Sequence, residues 1–93
     1  MIKTFANKET AAVFANEQVR RFGPEWLRAA RRNLAQLNNV ASVEELRIPP
    51  GNRLERLSGD REGQWSIRVN SQWRVCFRFS GGNAYDVEIV DYH

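Results

Sequence analysis

The hydrophobic pattern of this chain changes its period near residue 53, and that change constrains the fold more than any other feature. Before it, apolar residues recur every three or four positions, which is typical of amphipathic helices. After it, apolar and polar residues alternate, which is typical of strands with one buried face. Because the helical part precedes the strand part, the pattern predicts an α+β fold with the helices on one face of an antiparallel sheet.

Two helices are predicted in the N-terminal half, after a short strand at 2–5. Asn7 is a suitable N-cap for a helix that continues to about Phe22, where Gly23 and Pro24 stop it. Pro24 also suits the first turn of a second helix. The second helix carries an apolar stripe at spacings of three, four and three, and we expect this stripe to face the core: Leu27, Ala30, Leu34 and Leu37.

The C-terminal half predicts a four-stranded antiparallel meander. A capping-box pattern from Ser42 to Glu45 indicates a short helical turn before it. Turn-like segments rich in Gly, Ser and Asn separate the strands. The strands are expected near 53–57, 64–70, 73–79 and 84–91.

Alternation in the middle strands predicts one apolar and one cationic sheet face. Trp65 and Trp73 fall on the apolar side, so we expect core residues rather than platforms for stacked bases. The helices should cover this side and leave the other open. Three arginines belong to the open side: Arg68, Arg74 and Arg78.

The composition predicts a single domain over 1–93, because a chain of 93 residues supports one core. No apolar run approaches the roughly 20 residues of a membrane span, and the N-terminal residues lack a signal-peptide pattern, so we expect a cytoplasmic protein. The single cysteine, Cys76, is expected to be a small apolar filler, since one thiol makes neither an intramolecular disulfide nor a zinc site. No cofactor or metal is expected.

Positive charge is concentrated in one part of the chain. The net charge is only +3, but from residue 47 to 78 seven arginines face three acids, a local excess of four positive charges. Twelve of the fourteen basic residues are arginine, whose planar group binds phosphate through two parallel hydrogen bonds. The pattern favours a phosphate-rich partner, although ordinary surface ion pairs explain the composition equally well.

The last predicted strand leads into three ionisable residues, Asp91, Tyr92 and His93. His93 is the only histidine, and histidine exchanges protons near neutral pH because its ordinary pKa is about 6.5. The residues alone also fit a frayed, exposed end. Strict alternation would direct Tyr92 to the opposite side from the other two, so all three meet one substrate only if the strand twists or bulges there.

RNA offers a reaction that such groups catalyse without a metal. Its 2′-hydroxyl attacks the adjacent phosphorus when a base takes the proton, an acid protonates the departing 5′-oxygen and cations stabilise the phosphorane. Because one histidine cannot perform both transfers in a turnover, a second group is needed. The candidates for it are Asp91, Tyr92 and Glu55. The phosphate would be held by Arg74, with Arg68 and Arg61.

Four sequence segments resemble the HigB branch of the RelE-like toxins: Gly-Asp-Arg-Glu-Gly at 59–63, Trp-Ser-Ile at 65–67, Trp-Arg-Val-Cys-Phe at 73–77 and Asp-Tyr-His at 91–93. The resemblance covers nearly the whole chain. It implies two N-terminal helices packed on one face of a curved, mostly antiparallel sheet. It also implies a toxin that enters the A site of the 70S ribosome and cleaves mRNA. A HigA-type antitoxin with a helix-turn-helix domain would hold the toxin inactive. The toxin would contact operator DNA only indirectly, through this antitoxin. No membrane partner is implied.

The resemblance also assigns roles to residues. Asp91, Tyr92 and His93 match the catalytic triplet of the family, and Arg74 matches its arginine on the neighbouring strand. This chain departs from the family at two positions. Some members have a catalytic histidine where it has Glu55, and many have a lysine where it has Ser58. Glu55 would then serve as a base, with Arg56, Arg61, Arg68 and Arg78 as RNA or phosphate ligands.

Two alternatives to RNA cleavage stay open. The same cationic face would serve a module that binds RNA, the ribosome or the antitoxin without cutting. A ParE-like inhibitor of DNA gyrase would keep the fold, but such proteins generally lack the Asp-Tyr-His ending. Residues 91–93 therefore separate the three classes of function.

Overall fold

The computed structural model describes residues 1–20 and 22–91. Its helices are α1 (Lys8–Phe14) and α2 (Pro24–Asn39), and its strands are β1 (Glu55–Arg56), β2 (Trp65–Arg68), β3 (Trp73–Ser80) and β4 (Asn83–Asp91). The strands form one sheet in the order β1-β2-β3-β4, and every neighbouring pair is antiparallel. The predicted α+β class and the predicted meander are confirmed.

Helix α1 starts where the sequence predicted and ends much earlier. The side chain of Asn7 accepts a hydrogen bond from the backbone N–H of Thr10 at 2.8 Å, as an N-cap should. The helix stops at Phe14, and the prediction that it reaches Phe22 is wrong. The physical reason lies at Asn16, whose φ of 64° belongs to the left-handed region and cannot continue a right-handed helix.

Helix α2 matches its prediction closely. Pro24 occupies its first turn, and the predicted stripe of Leu27, Ala30, Leu34 and Leu37 is buried. The capping box between Ser42 and Glu45 also forms, and it starts a short 3₁₀ turn. These features were predictable because caps and helical spacing act locally.

The predicted first strand is only an extended segment against β4. Ile2 and Phe5 make isolated parallel bridges to Ala84 and Val87. This segment covers the outer edge of β4, which would otherwise present unpaired backbone groups. The sheet is therefore mostly antiparallel, with two parallel bridges at one edge.

The core lies between the two helices and the sheet, and Leu34, Val75 and Phe77 in it are completely buried. Trp73 is also buried, and its ring stacks on Trp26 with centroids 4.9 Å apart, so its predicted core role is confirmed. In the described part of the chain, neither helix combines the length and the apolar character that a membrane crossing needs.

Candidate functional site

The strand register gathers four polar residues on the sheet face that points away from the helices. Ser66 of β2 pairs with Glu55 of β1, and Arg68 of β2 pairs with Arg74 of β3. Directly paired residues project to the same face, while alternate residues such as Ile67 project into the core. We call the set Glu55, Ser66, Arg68 and Arg74 the arginine face.

Arg74 is fixed in place by hydrogen bonds. Its Nε donates to the hydroxyl of Ser66 at 2.8 Å, and its Nη2 donates to the backbone carbonyl of Arg53 at 2.6 Å. The residue is only 7% exposed. The sequence predicted an open cationic face, and this is wrong around Arg74, because Ser66 and Cys76 beside it are completely buried. The guanidinium is thus a positioned charge instead of a mobile surface group.

The arginine face carries an excess of positive charge. The two guanidinium groups belong to directly opposed residues, an arrangement in which like charges repel. Glu55 Oε1 lies 3.8 Å from Arg74 Nη2, and the Glu55 side chain is 53% exposed. Arg68 is half-buried and forms no ion pair with residues 1–20 or 22–91. The arginine face therefore has two cations and one carboxylate, so its net charge would favour an anion beside Arg68.

The backbone of β2 at this point is tied to the helical layer. Asn33 of α2 is 1% exposed, and its Nδ2 donates to the carbonyl of Arg68 at 2.8 Å. This hydrogen bond keeps a buried amide satisfied and links the core directly to the strand that carries Arg68.

Two other predicted phosphate ligands are already engaged with acids. Arg61 Nη2 lies 3.2 Å from Glu88 Oε1, and Arg78 Nε lies 3.6 Å from Asp86 Oδ2. The guanidinium of Arg78 also sits against Gly63, where an added Cβ would come within 2.9 Å of it. These contacts make both arginines weaker candidates for an anion than Arg68.

Arg56 lies on the other side of the sheet from Glu55. It pairs with Trp65, and its guanidinium carbon is 5.6 Å from the centre of the Trp65 ring, a cation–π contact. Trp65 is half-buried against the edge of the core, so its predicted core role is confirmed only in part. The structure does not bring Arg56 onto the arginine face.

Asp91 likewise belongs to the helix-covered side. Its register partner is Trp73, whereas Arg74 pairs with Val90. Its Oδ2 accepts a hydrogen bond from Gln72 Nε2 at 3.2 Å. The structure therefore joins Glu55 to Arg74 but does not bring Asp91 onto the arginine face. The predicted residues Tyr92 and His93 lie outside the described residues.

Sequence reasoning missed the groups that hold Arg74 and Arg68. Ser66, the carbonyl of Arg53 and Asn33 were given no role, although each bonds to one of the two arginines. The position of Ser66 could have been predicted from the sequence, since it lies two residues before Arg68 on β2 and therefore projects to the same face. The other two partners depend on tertiary packing and left no pattern in the sequence.

Cys76 is a small, buried side chain within the sheet, as predicted. It is completely buried, and this burial raises the pKa of its thiol, against the opposing effects of Arg61 and Arg74. A neutral, inaccessible thiol is neither a nucleophile nor a metal ligand. Within the residues that the structure describes, no three His, Cys, Asp or Glu side chains form a group that could hold a metal ion. The absence of a metal in the reaction stays a prediction.

Solved structures of YoeB- and ParE-type toxins have the same architecture. The YoeB–YefM complex from Staphylococcus aureus contains a chain with a TM-score of 0.59 and 10% identity, covering 100% of this chain and 98% of that one. A YoeB/ParE toxin from Agrobacterium tumefaciens has a TM-score of 0.56 and 16% identity, with coverage of 98% and 99%. The chain therefore belongs to the RelE-like fold class.

Sequence comparison identifies the family within that class. The model for the RelE-like toxin of the type II toxin–antitoxin system HigB matches residues 3–93. Endoribonuclease HigB of Proteus vulgaris is 32% identical over 93 residues, all of both chains, and Toxin HigB-1 of Vibrio cholerae is 36% identical over 85 residues, 90% of each. This chain belongs to the HigB-like toxin family, which confirms the resemblance seen in its sequence.

Proposed function

We propose that this protein is a ribosome-dependent mRNA endoribonuclease that inhibits translation. The observation that carries the proposal is the fixed Arg74, which lies on the sheet face away from the helices together with the half-exposed Glu55 and with Arg68, for which the described residues supply no ion-pair partner. Membership of a family with an endoribonuclease relative adds independent support. The active protein would act in the cytoplasm, at the A site of the 70S ribosome.

The two arginines would hold the scissile phosphate. Charge that is positioned before the reaction stabilises a phosphorane better than mobile charge, because no reorganisation is needed as negative charge develops. The hydrogen bonds from Arg74 to Ser66 and to the Arg53 carbonyl supply that fixation. Arg68 would add a planar pair of donors suited to two phosphate oxygens.

Cleavage would proceed by attack of the 2′-hydroxyl of the RNA. The O2′–P bond forms, the P–O5′ bond breaks, a base takes the 2′ proton and an acid delivers a proton to O5′. The products are a 2′,3′-cyclic phosphate and a 5′-hydroxyl. Glu55 is a candidate base because its carboxylate is accessible and lies beside Arg74. Asp91, Tyr92 and His93 match the catalytic triplet of the family, so His93 is the candidate for the second proton transfer.

The natural inhibitor would be a HigA-type antitoxin. Type II toxins are members of two-protein systems, and this chain belongs to such a family. Operator DNA would be contacted only through the antitoxin. The concentration of arginines between residues 47 and 78 would favour RNA as the toxin's own phosphate-rich partner.

Inducible expression with and without the neighbouring reading frame tests this proposal. We expect growth arrest that the second frame relieves, with new mRNA 5′ ends at positions in frame with codons. Growth arrest with intact mRNA and broken DNA would instead establish a gyrase inhibitor. Ribosome binding with intact mRNA and intact DNA would establish a binding module that does not cut.

A further inference from the structure

One hydrogen bond of Arg74 depends on a connection that is not part of the sheet. Its acceptor is the backbone carbonyl of Arg53, which follows the 3₁₀ turn Pro50–Asn52 and leads into β1. Arg53 has a φ of 44° and a ψ of 59°, in the left-handed region that favours glycine. A residue with a Cβ keeps such a conformation only where the surrounding structure holds it. The position of the Arg53 carbonyl therefore depends on what fixes the residues before it.

Asn52 holds this connection from the inside. The residue is only 4% exposed, and its Nδ2 donates to the backbone carbonyl of Leu46 at 3.0 Å and to Oε1 of Gln36 at 2.9 Å. The carbonyl of Ile48 lies 3.5 Å from the same nitrogen, and it also accepts from Nε2 of Gln36 at 2.6 Å. One buried amide thus joins three parts of the chain. Its loss would leave buried carbonyl groups without a donor.

Helix α2 supports both arginines of the arginine face. Gln36 lies three residues after Asn33, so the two amides are neighbours on one face of the helix. Asn33 bonds the backbone of Arg68 directly. Gln36 bonds Asn52, and the residue after Asn52 supplies the carbonyl that Arg74 contacts at 2.6 Å. The helical layer therefore reaches Arg68 in one step and Arg74 in two.

The segment that Asn52 holds carries two groups that contact the same nitrogen of Arg74. The Arg53 carbonyl accepts from Nη2, and Glu55 Oε1 lies 3.8 Å from Nη2. A shift of this segment would move both groups together. Ser66 would still bond Nε of Arg74, since it belongs to β2 and not to this segment. The guanidinium would then be held at one end only.

We infer that Asn52, held by Gln36, is a positioning residue for Arg74. The inference rests on the proposed function for the reaction that Arg74 serves, and it adds the residue that sets the orientation of the guanidinium. Without the Asn52 amide, the left-handed turn at Arg53 would relax and Nη2 of Arg74 would lose its nearest carbonyl. The positive charge would remain, but it would no longer be fixed before RNA binds.

The test uses three alanine variants of the full-length toxin. Asn52→Ala removes the buried amide, and Gln36→Ala is a milder change that keeps the test decisive if Asn52→Ala does not fold. Asn38→Ala is the matched control, because Asn38 is a half-buried amide of α2 like Gln36. Its Oδ1 accepts from the N–H of Ile2 at 2.9 Å, at the opposite edge of the sheet.

Two properties of each variant are measured. The first is the rate of rotation about the Nε–Cζ bond of Arg74 in the free toxin, from NMR exchange between its two Nη signals, which are assigned by their absence in Arg74→Lys. Hydrogen exchange of the Val75 backbone N–H, in the buried middle of β3, reports general opening of the sheet. The second is the single-turnover rate of mRNA cleavage, with ribosome affinity measured on the same preparations.

We expect the Arg74 guanidinium to rotate much faster in Asn52→Ala and moderately faster in Gln36→Ala, with unchanged exchange at Val75. The cleavage rate of Asn52→Ala should fall by at least about tenfold, since a displacement near 1 Å can cost roughly 10²-fold. Ribosome affinity should stay at the wild-type level, because the charge is retained. The Asn38→Ala control should match the wild type in both properties.

Unchanged rotation of Arg74 in the Asn52 and Gln36 variants would overturn the inference, as would faster rotation with an unchanged cleavage rate. Equal losses in Asn38→Ala, or an equal rise in exchange at Val75, would show a general loss of stability and overturn it too. If the wild type itself does not cleave mRNA, the proposed function fails. The rotation rates would still decide whether Asn52 positions Arg74.

Discussion

Arg68 and Arg74 lie directly opposite each other on β2 and β3, and only Arg74 has a carboxylate within 4 Å among the described residues. Like charges in this position destabilise a sheet by a few tenths to about 1 kcal/mol. A sheet selected for stability alone would place an acid or a neutral residue at one of them. In the function proposed above, a bound phosphate would relieve this repulsion.

Replacing Arg68 by glutamine should stabilise the free protein and impair the reaction. The variant removes the repulsion with Arg74, so the free energy of unfolding should rise by about 0.2–1 kcal/mol in urea denaturation. Its single-turnover cleavage rate should fall at least tenfold, because one phosphate ligand is lost. The control Arg32→Gln removes an exposed charge on α2 and should change neither quantity. A destabilised Arg68→Gln protein would show that Arg68 is a structural residue.

Ser66→Ala should impair cleavage although Ser66 itself is not expected to contact RNA, because Ser66 acts through Arg74. Removing the hydroxyl leaves Nε of Arg74 without its acceptor, which should lower the free energy of unfolding by about 1–3 kcal/mol. The rate of the chemical step should fall several-fold while ribosome affinity stays unchanged, since the charge remains but is less well positioned. Ser80→Ala, at the exposed end of the same sheet, is the matched control. Equal rates for Ser66→Ala and wild type would remove Ser66 from the positioning role.

The fold was predictable where local rules act. The cap at Asn7, the stripe on α2 and the two-residue alternation of the strands each depend on neighbours in sequence, and all three were found. The end of α1 was not predicted, because the left-handed conformation of Asn16 that ends the helix is accompanied by contacts with a residue distant in sequence. Arg31 of α2 donates to two carbonyls at that end, which satisfies groups that a longer helix would have bonded internally.

The candidate site was predictable in its residue types and less so in its geometry. Alternation assigned Arg68 and Arg74 to one face, but the strand register decides which residues lie opposite each of them. A slip of one residue in that register would exchange the two faces of the strand. Only the structure shows that Arg74 is buried against Ser66 and that Asp91 pairs with Trp73.

Stability should fall at alkaline pH because of Cys76. Burial raises the pKa of its thiol above the ordinary value of 9.0, so the folded state holds the proton more tightly than the unfolded state. This contribution to stability is complete below the unfolded pKa and is lost as the pH rises through the folded pKa. Above about pH 9, the wild type should therefore lose up to about 1.4 kcal/mol per pH unit relative to Cys76→Ala. Parallel pH curves for the two proteins would show that the thiol titrates normally.

His93→Gln should abolish cleavage and preserve binding. Glutamine keeps a polar side chain of similar length but exchanges no protons, so the rate on ribosomes should fall by about 10²–10⁴. Ribosome binding by sedimentation and antitoxin binding by calorimetry should stay at wild-type levels. Full cleavage by this variant would exclude His93 from proton transfer and leave Glu55 as the leading candidate for that role.

The chemistry of the RNA ends tests the central claim most directly. Purified toxin is treated with chelator, freed of it by gel filtration and added to 70S ribosomes carrying a defined mRNA. We predict fragments with 2′,3′-cyclic phosphate and 5′-hydroxyl ends, and no cleavage when the nucleotide 5′ to the cut carries a 2′-deoxyribose. Fragments with 5′-phosphate ends, or cleavage of the deoxy substrate, would contradict attack by the 2′-hydroxyl and the site proposed to promote it.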